Sequence, residues 1–397
     1  MIKTIKEIDL KNRTIILRCD FNVPIKNNKI IDDNRIKESL DTIKYILSQN
    51  SKLIILSHLG RVETKEDMKD NTLFPVAKRL EKYLKKKIIF CEKNEGKEVE
   101  ETVNSAKYGD VILLENTRYQ DINNKRESSN DTELGKYWAS LGDIFVNDAF
   151  GTAHRAHASN VGIATYIPSA IGFLVEKELK MLKEYLNNPK KPYTILMGGA
   201  KIKDKIGVIE NLSIKADNII VGGGIAYTFL KAEGYNTGTS IVDNDNIMFC
   251  KNMLSKYGNK IFIPNYYKYK SNNKIKTIDI RKNNNDKINF LDISNKSIKE
   301  IEKIICKSKT IFWNGPFGYI EDKNFIKGTK KIMSILSKQK VVVILGGGDI
   351  TSVAVRYGYK NKFTHVSTGG GASLELLEGK ILPGIEIIGK INTNYEK

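Results

Sequence analysis

Cysteine is scarce in this chain, with Cys19, Cys91, Cys250 and Cys306 the only four in 397 residues. None stands at CxxC spacing, which excludes a paired metal or redox motif of that kind and a disulfide scaffold; the thiols are expected to stay reduced. Long apolar runs are missing too. The longest, such as Val341-Val342-Val343-Ile344-Leu345, fall far short of the ~20 residues that a spanning helix needs. Met1–Leu10 has no apolar stretch of the kind a secretory leader carries. These absences predict a soluble, cytoplasmic protein with no membrane partner. Acidic residues are the minority charge, 46 against 65 Lys and Arg, for a formal charge of +19. Such an excess suits nucleic acid, a membrane surface or phosphorylated metabolites. Much of it is lysine scattered among Asn and Ile, as in Lys85-Lys86-Lys87 and Asn272-Asn273-Lys274-Ile275-Lys276, and reads as compositional drift. Where the arginines sit says more than the sum.

With 41% apolar and 28% charged residues the composition is globular, and the length predicts two domains. Short β-branched runs recur between stretches long enough for helices. The first series is Thr14–Cys19, Lys52–Ser57, Val111–Leu114 and Ile144–Val146. The second is Tyr193–Met197, Asn218–Val221, Lys260–Ile263, Thr310–Trp313, Val341–Leu345 and Thr364–Ser367. Continuous apolar runs of this kind predict parallel sheets covered on both faces. The expected fold is α/β, with two open, doubly wound parallel-sheet (Rossmann-like) domains. Phe173–Leu186 carries a helical apolar face and stops at Asn187-Asn188-Pro189-Lys190-Lys191-Pro192. It reads as a hinge helix and linker at 173–192, between a domain over 1–172 and another over 193–379. Residues 268–290, rich in Lys, Asn and Ile, read as peripheral strands and loops without recognisable chemistry.

In open α/β sheets ligands bind beyond the carboxyl ends of the strands. The first-series strands run into Arg18-Cys19-Asp20-Phe21-Asn22-Val23-Pro24 (followed by Arg35), Ser57-His58-Leu59-Gly60-Arg61, Glu115-Asn116-Thr117-Arg118 and Asn147-Asp148-Ala149-Phe150-Gly151-Thr152-Ala153-His154-Arg155-Ala156-His157. Arginines recur after every strand, and their planar forks suit bidentate binding of phosphate or carboxylate. A small, multiply charged anion is the expected ligand. His154 and His157 could face one way as metal ligands, but no third His or Cys is near and Arg155 would repel a cation.

The second-series strands run into glycine: Gly198-Gly199-Ala200-Lys201-Ile202-Lys203-Asp204-Lys205, Gly222-Gly223-Gly224, Asn314-Gly315-Pro316-Phe317-Gly318, Gly346-Gly347-Gly348-Asp349 and Gly369-Gly370-Gly371. Loops of this kind that open helices favour phosphate through free N–H groups and the helix dipole, so a nucleotide site is expected. Neither GxxxxGK[ST] nor GxGxxG occurs at these junctions. Lys201 and Lys205, four apart, are expected on one face of a first helical turn. Asp349 is the first candidate to hold Mg²⁺, an ion that needs only one or two protein carboxylates beside phosphates.

Taken together, Arg18–Pro24, His58–Arg61, Leu114–Arg118, Asn147–Ser159, Gly198–Ile206, Val221–Phe229, Phe312–Glu321, Leu345–Asp349 and Ser367–Gly379 closely resemble the phosphoglycerate kinase family, in its order and nearly end to end. The resemblance implies a cleft between the two domains and reversible, Mg²⁺-dependent phosphoryl transfer between 1,3-bisphosphoglycerate and ADP, giving 3-phosphoglycerate and ATP in glycolysis. It implies that Asp20 and Asn22, with Phe21 between them, hold the hydroxyl and backbone end of 3-phosphoglycerate. His58, Arg61, Arg118 and Arg155 would grip its phosphate, with Leu59 and Gly60 in the same loop. Arg35 would face the reacting carboxyl. Lys201 and Lys205 would meet the nucleotide phosphates, and Gly199, Gly223, Gly224, Asn314 and Pro316 would shape the adenine and ribose cleft. Glu321 would take the ribose hydroxyls, while Gly347, Gly348, Asp349 and Ile350 would line the phosphate end with Mg²⁺ on Asp349. Gly370 and Gly371 would offer a helix N-terminus to the phosphoryl group. The resemblance also implies a monomer, and a tail over 380–397 that returns to the first domain.

Some positions depart from the family pattern, Phe317, Tyr319 and Ile320 within the Asn-Gly-Pro motif among them. Ile350 stands where Thr or Ser is usual, which removes a hydroxyl near the phosphates, and Ser294 takes the place of a glycine in a turn. The chemistry asks for no general base, because the attacking carboxylate is ionised at neutral pH; no Ser–His or His–Asp pairing stands among the strand ends. A nucleic-acid-binding protein is the competing reading. It calls for basic residues clustered with aromatics on one face, whereas the arginines here gather at strand ends.

Overall fold

Strands with no polar face must be covered on both sides, and the buried runs Ile15-Ile16-Leu17, Leu53-Ile54-Ile55-Leu56 and Val111-Ile112-Leu113-Leu114 are. The structure, a computed structural model, describes residues 2–391, with the backbone alone for 390 and 391. The chain divides into two units: one runs to Leu179 and resumes at Ile381, and the other is Lys180–Lys380. The boundary falls inside the helix Phe173–Asn187, which the apolar face over 173–186 anticipates.

Each unit is built on a six-stranded parallel sheet. In the first unit the strands lie in the order Ile89–Cys91, Val111–Leu114, Lys52–Leu56, Thr14–Arg18, Ile144–Asn147, Ser169–Ile171. In the second the order is Ile261–Phe262, Asn218–Val221, Tyr193–Met197, Thr310–Asn314, Val342–Gly346, His365–Val366. Counted along the chain, this second sheet is 3-2-1-4-5-6, the doubly wound order, and it reverses between Tyr193–Met197 and Thr310–Asn314. The register brings the strand ends level. Arg18 pairs with Leu56 and Asn147 in the first sheet, and Asn314 with Met197 and Gly346 in the second. The loops that carry the candidate residues therefore leave each sheet along one edge.

The segment 268–290 belongs mainly to a separate three-stranded antiparallel sheet, Lys274–Asp279, Tyr266–Ser271 and Phe290–Ile293. Ser294 needs no glycine-like backbone. It is the N-cap of the helix Asn295–Ile305, and its hydroxyl accepts from the N–H groups of Lys296 and Ser297. The returning helix Pro383–Ile391 packs on the first unit, where Asn147 Nδ2 donates to the Gly384 carbonyl at 2.8 Å and Gly384 N–H donates to Ala153 at 2.9 Å. Residues 392–397 of the expected tail lie outside the described residues. No helix among the described residues is long and apolar enough to cross a membrane.

Candidate active site

In the first unit the strand-end loops are tied to one another by side chains. Ser57 Oγ accepts from the Phe21 N–H at 2.8 Å, and Asn22 Oδ1 accepts from the Gly60 N–H at 2.9 Å. Asn116 is fully buried: its Oδ1 accepts from the N–H groups of Leu59 and Arg118, and its Nδ2 donates to the Leu59 carbonyl. Gly60 has φ +61°, and a Cβ there would lie 1.9 Å from Asn71 Oδ1, so a side chain here would be strained and would have to displace Asn71. Phe21 and Leu59 are buried and help to fix the loops from below.

Around that frame the cationic groups converge. Arg35 donates to Asp20 Oδ2, and Arg118 donates to Asp121 at 2.6 Å while its Nε stays buried without a partner. Arg155 is exposed, and its Nε donates to His154 Nε2 at 3.2 Å. Burial, together with the charges of Arg18, Arg118 and Arg35, holds the His58 pKa down at about 3, against the pull of Asp20. His157 is lowered by burial and by Arg118, Arg18, His58 and Arg155. Neutral imidazoles among four guanidiniums, with Asp20 as one of few nearby anions, leave a positive field that suits an anion. Arg61 is exposed and pairs with no residue of this cluster. Arg18 received no role in the sequence reading, yet it is fully buried, with NH2 3.4 Å from His58 Nδ1. Its place in a level sheet edge is the signal that could have found it.

In the second unit the loops after the strands interdigitate at the reversal point. Gly198 N–H donates to the Asn314 carbonyl at 2.7 Å and Gly199 N–H to the Pro316 carbonyl at 2.8 Å. Part of the glycine content serves this packing: a Cβ on Gly222 would lie 2.2 Å from the buried Phe317 ring. Above these loops opens a cavity of about 740 Å³, lined among others by Gly199, Gly223, Gly224, Pro316, Glu321 and Asp349, within the size range of small-ligand sites. Asn314 is buried and ties two loops together, its Nδ2 donating to the Gly346 carbonyl at 2.7 Å. Gly347 caps the helix Gly348–Arg356, and Gly370 (φ +52°) caps Gly371–Leu377.

Lys205 is half-buried, and among the described residues its ammonium has no hydrogen-bonding partner. Burial lowers its pKa, while the charges of Asp349 and Asp204 oppose that shift. The expectation that Lys201 and Lys205 share a helical turn is corrected: Lys203–Lys205 is a 3₁₀ turn, the α-helix starts at Ile206, and Lys201 precedes both, exposed. A tight turn that delivers Lys205 beside Gly199 takes the place of the helix face. Ile350 is fully buried, so its side chain belongs to the core and its backbone N–H is what the helix start can offer a ligand. The reading of 268–290 as chemically silent also needs correction. Asn289 and Phe290 line the cavity, and Phe290 stacks on Tyr267 at 5.1 Å and meets Tyr227 at 5.6 Å. This aromatic wall could not be anticipated from a lysine-rich stretch.

No three His, Cys, Asp or Glu gather among the described residues as a self-sufficient metal cage. The exposed Asp349 carboxylate, which lines the cavity and has no hydrogen-bonding partner among the described residues, suits a Mg²⁺ ion that shares its other ligands with phosphates and water.

An anion-gathering strand edge in one unit, and in the other a glycine-lined cavity with an exposed carboxylate and a half-buried lysine beside Gly199, define a small-molecule phosphotransferase of the α/β class. The phosphoglycerate kinase family model matches residues 5–380, and the chain belongs to that family, whose known role is glycolytic phosphoryl transfer. Its relatives include the phosphoglycerate kinase of Fusobacterium nucleatum subsp. nucleatum, 51% identical over 98% of this chain and 99% of that protein. That of Enterococcus faecalis is 50% identical over 97% and 98%. Among solved structures, phosphoglycerate kinase from Coxiella burnetii has a TM-score of 0.86 at 36% identity, covering 98% of this chain and all (100%) of that one. The Pyrococcus horikoshii OT3 enzyme has a TM-score of 0.87 at 29% identity over 98% and 99%.

Proposed function

We propose that this chain transfers a phosphoryl group reversibly between 1,3-bisphosphoglycerate and ADP, giving 3-phosphoglycerate and ATP. The unit that runs to Leu179 would hold the phosphoglycerate and Lys180–Lys380 the nucleotide. The observation that carries this reading is the pairing of chemistries: guanidiniums gathered at one set of strand ends, and at the other an ammonium, Lys205, that is half-buried beside Gly199 with no hydrogen-bonding partner among the described residues and so calls for an anion.

In the direction of ATP consumption, a carboxylate oxygen of 3-phosphoglycerate attacks the γ-phosphorus, and the bond from that phosphorus to the β-bridging oxygen breaks. The nucleophile is already ionised, so catalysis reduces to alignment and to neutralising charge on the equatorial oxygens. His58, Arg61, Arg118 and Arg155 grip the remote phosphate, and Asp20 and Asn22 orient the hydroxyl end. Arg35 meets the reacting carboxyl. Lys205 and the N–H groups at Gly370 and Gly371 take the charge of the phosphoryl in flight, while Lys201 meets the nucleotide phosphates. Asp349 would hold Mg²⁺, which when bound supplies charge neutralisation on the nucleotide phosphates. Glu321 receives the ribose. Because donor and acceptor belong to different units, turnover requires them to meet, and 173–192 is the proposed hinge. The chain acts as a monomer in the cytoplasm, and its basic charge does not serve nucleic acid.

The test is a coupled assay with ADP and 1,3-bisphosphoglycerate at varied Mg²⁺. Saturable ATP formation that vanishes with chelation is expected, and Asp349→Asn should raise the Mg²⁺ requirement about ten-fold or more. No ATP formation at any Mg²⁺ level overturns the assignment.

A further inference from the structure

Behind the guanidinium cluster lies a carboxylate that no strand-end loop supplies. Glu127 is fully buried, in the segment that precedes the helix Thr132–Ser140. Its Oε2 accepts from the Ser159 N–H at 2.9 Å, and its Oε1 accepts from the Ser159 hydroxyl at 2.5 Å. The same hydroxyl accepts from Arg18 Nε at 2.8 Å. Arg18 NH2 stands 3.8 Å from Glu127 Oε1, and so does His157 Nδ1. The backbone joins in, with the Ala158 N–H donating to the Glu127 carbonyl at 2.9 Å.

The hydrogen bonds have one polarity. Arg18 Nε has only a proton to give, so Ser159 must spend its own on Glu127, and both oxygens of Glu127 are acceptors. One buried group of the cluster, Arg18, depends on this chain, and a second, His157, lies against it. Arg18 is fully buried, and its charge is opposed by burial and supported first by Glu127 and then by Asp20. His157 is buried with its Nδ1 unpartnered and facing Glu127. An unopposed guanidinium at this depth would move or drag in water, and His58, 3.4 Å from Arg18, would lose its neighbour's fixed position.

We propose that Glu127, acting through Ser159, is a positioning residue for phosphoglycerate binding: it holds Arg18 and His157 in register behind the residues that grip the phosphate. This rests on the functional reading above. The amide of Glu127→Gln would have to present its NH₂ to Ser159 or to Arg18, so the chain loses its polarity at nearly constant volume. Ser159→Ala removes the relay while keeping the carboxylate.

The experiment measures kcat and both KM values for the full-length protein and for each variant, with inorganic phosphate as a competitive probe. KM for 3-phosphoglycerate should rise about ten-fold in Glu127→Gln and less in Ser159→Ala. The inhibition constant of phosphate against it should rise in parallel, while kcat and KM for ATP stay within about two-fold. A merely structural role would instead move both KM values together or lower kcat, and either result overturns the proposal, as does an unchanged KM for 3-phosphoglycerate. If Glu127→Gln does not fold, the KM split in Ser159→Ala decides alone. A parent protein that fails to saturate with 3-phosphoglycerate refutes the functional reading, whereas a saturating parent with unmoved variants refutes only the positioning role.

Discussion

The Arg35 guanidinium donates to Asp20 Oδ2, so the residue expected at the reacting carboxyl is held by the residue expected at the substrate hydroxyl. Burial pushes the Asp20 carboxyl up, but Arg35, His58 and Arg18 outweigh it and hold its pKa below the ordinary carboxylate value. Asp20 thus stays an anion throughout the neutral range. Any stability it lends is present above the unfolded pKa and is lost only as acid approaches its lowered one.

Arg35→Ala should lower kcat by ~10²–10³, the cost typical of removing one donor to a developing charge. KM for ATP should stay within a few-fold, because the nucleotide cavity is lined by residues between Gly199 and Asp349. Steady-state kinetics with each substrate varied in turn checks this, and full turnover in the variant would remove Arg35 from its assigned place.

The four central strands of the first sheet and all six of the second were legible because an apolar or β-branched run marks each, uninterrupted where both faces are buried, as at Val111–Leu114 and Tyr193–Met197. The first sheet's edge strands Ile89–Cys91 and Ser169–Ile171 were not: Ile89–Cys91 is only partly covered, and Ser169–Ile171, though buried, is a Ser-Ala-Ile run with a single β-branched residue. Site residues at strand ends could be read because parallel register levels those ends. Glu127 could not, because it meets Ser159 across 32 residues of sequence through burial that no local pattern records. Phe290 stayed hidden for a similar reason: it reaches the cavity from an antiparallel strand that stacks it on Tyr267 and tilts it against Tyr227. Ile350 looked like a lost ligand contact by its motif position, whereas its full burial makes it a core residue.

Two glycines separate packing from binding. Gly222→Ala would drive a methyl to 2.2 Å from the buried Phe317 ring, an overpacking that typically costs ~1–3 kcal/mol. Gly348 opens the helix Gly348–Arg356 and has no heavy atom within 4 Å of a built Cβ. Gly348→Ala should therefore match the parent in thermal midpoint, yet raise KM for ATP about ten-fold where the methyl meets a phosphate. Thermal melts and nucleotide kinetics on both variants check the contrast, and an unmoved KM in Gly348→Ala would place the phosphates elsewhere.

Asp148 sits fully buried at the start of the helix Phe173–Asn187, where its Oδ1 accepts from the N–H groups of Leu174 and Val175 at 2.9 and 3.3 Å. Burial raises its pKa to about 7; Thr42 and those two N–H groups pull it back, and Asp41 pushes it further up. Below that value the folded chain carries a proton that the unfolded chain, titrating near 3.8, gives up first. Stability therefore declines as pH rises through this window, by at most ~1.4 kcal/mol per unit for one proton. Asp148→Asn keeps an oxygen for Leu174 and Val175 and has nothing to ionise. The variant should gain on the parent as pH goes from 5 to 8, a difference that paired urea denaturation curves at the two pH values would measure. A constant gap between the two proteins would mean that Asp148 does not change its protonation over this range, leaving the helix start held by a permanent charge.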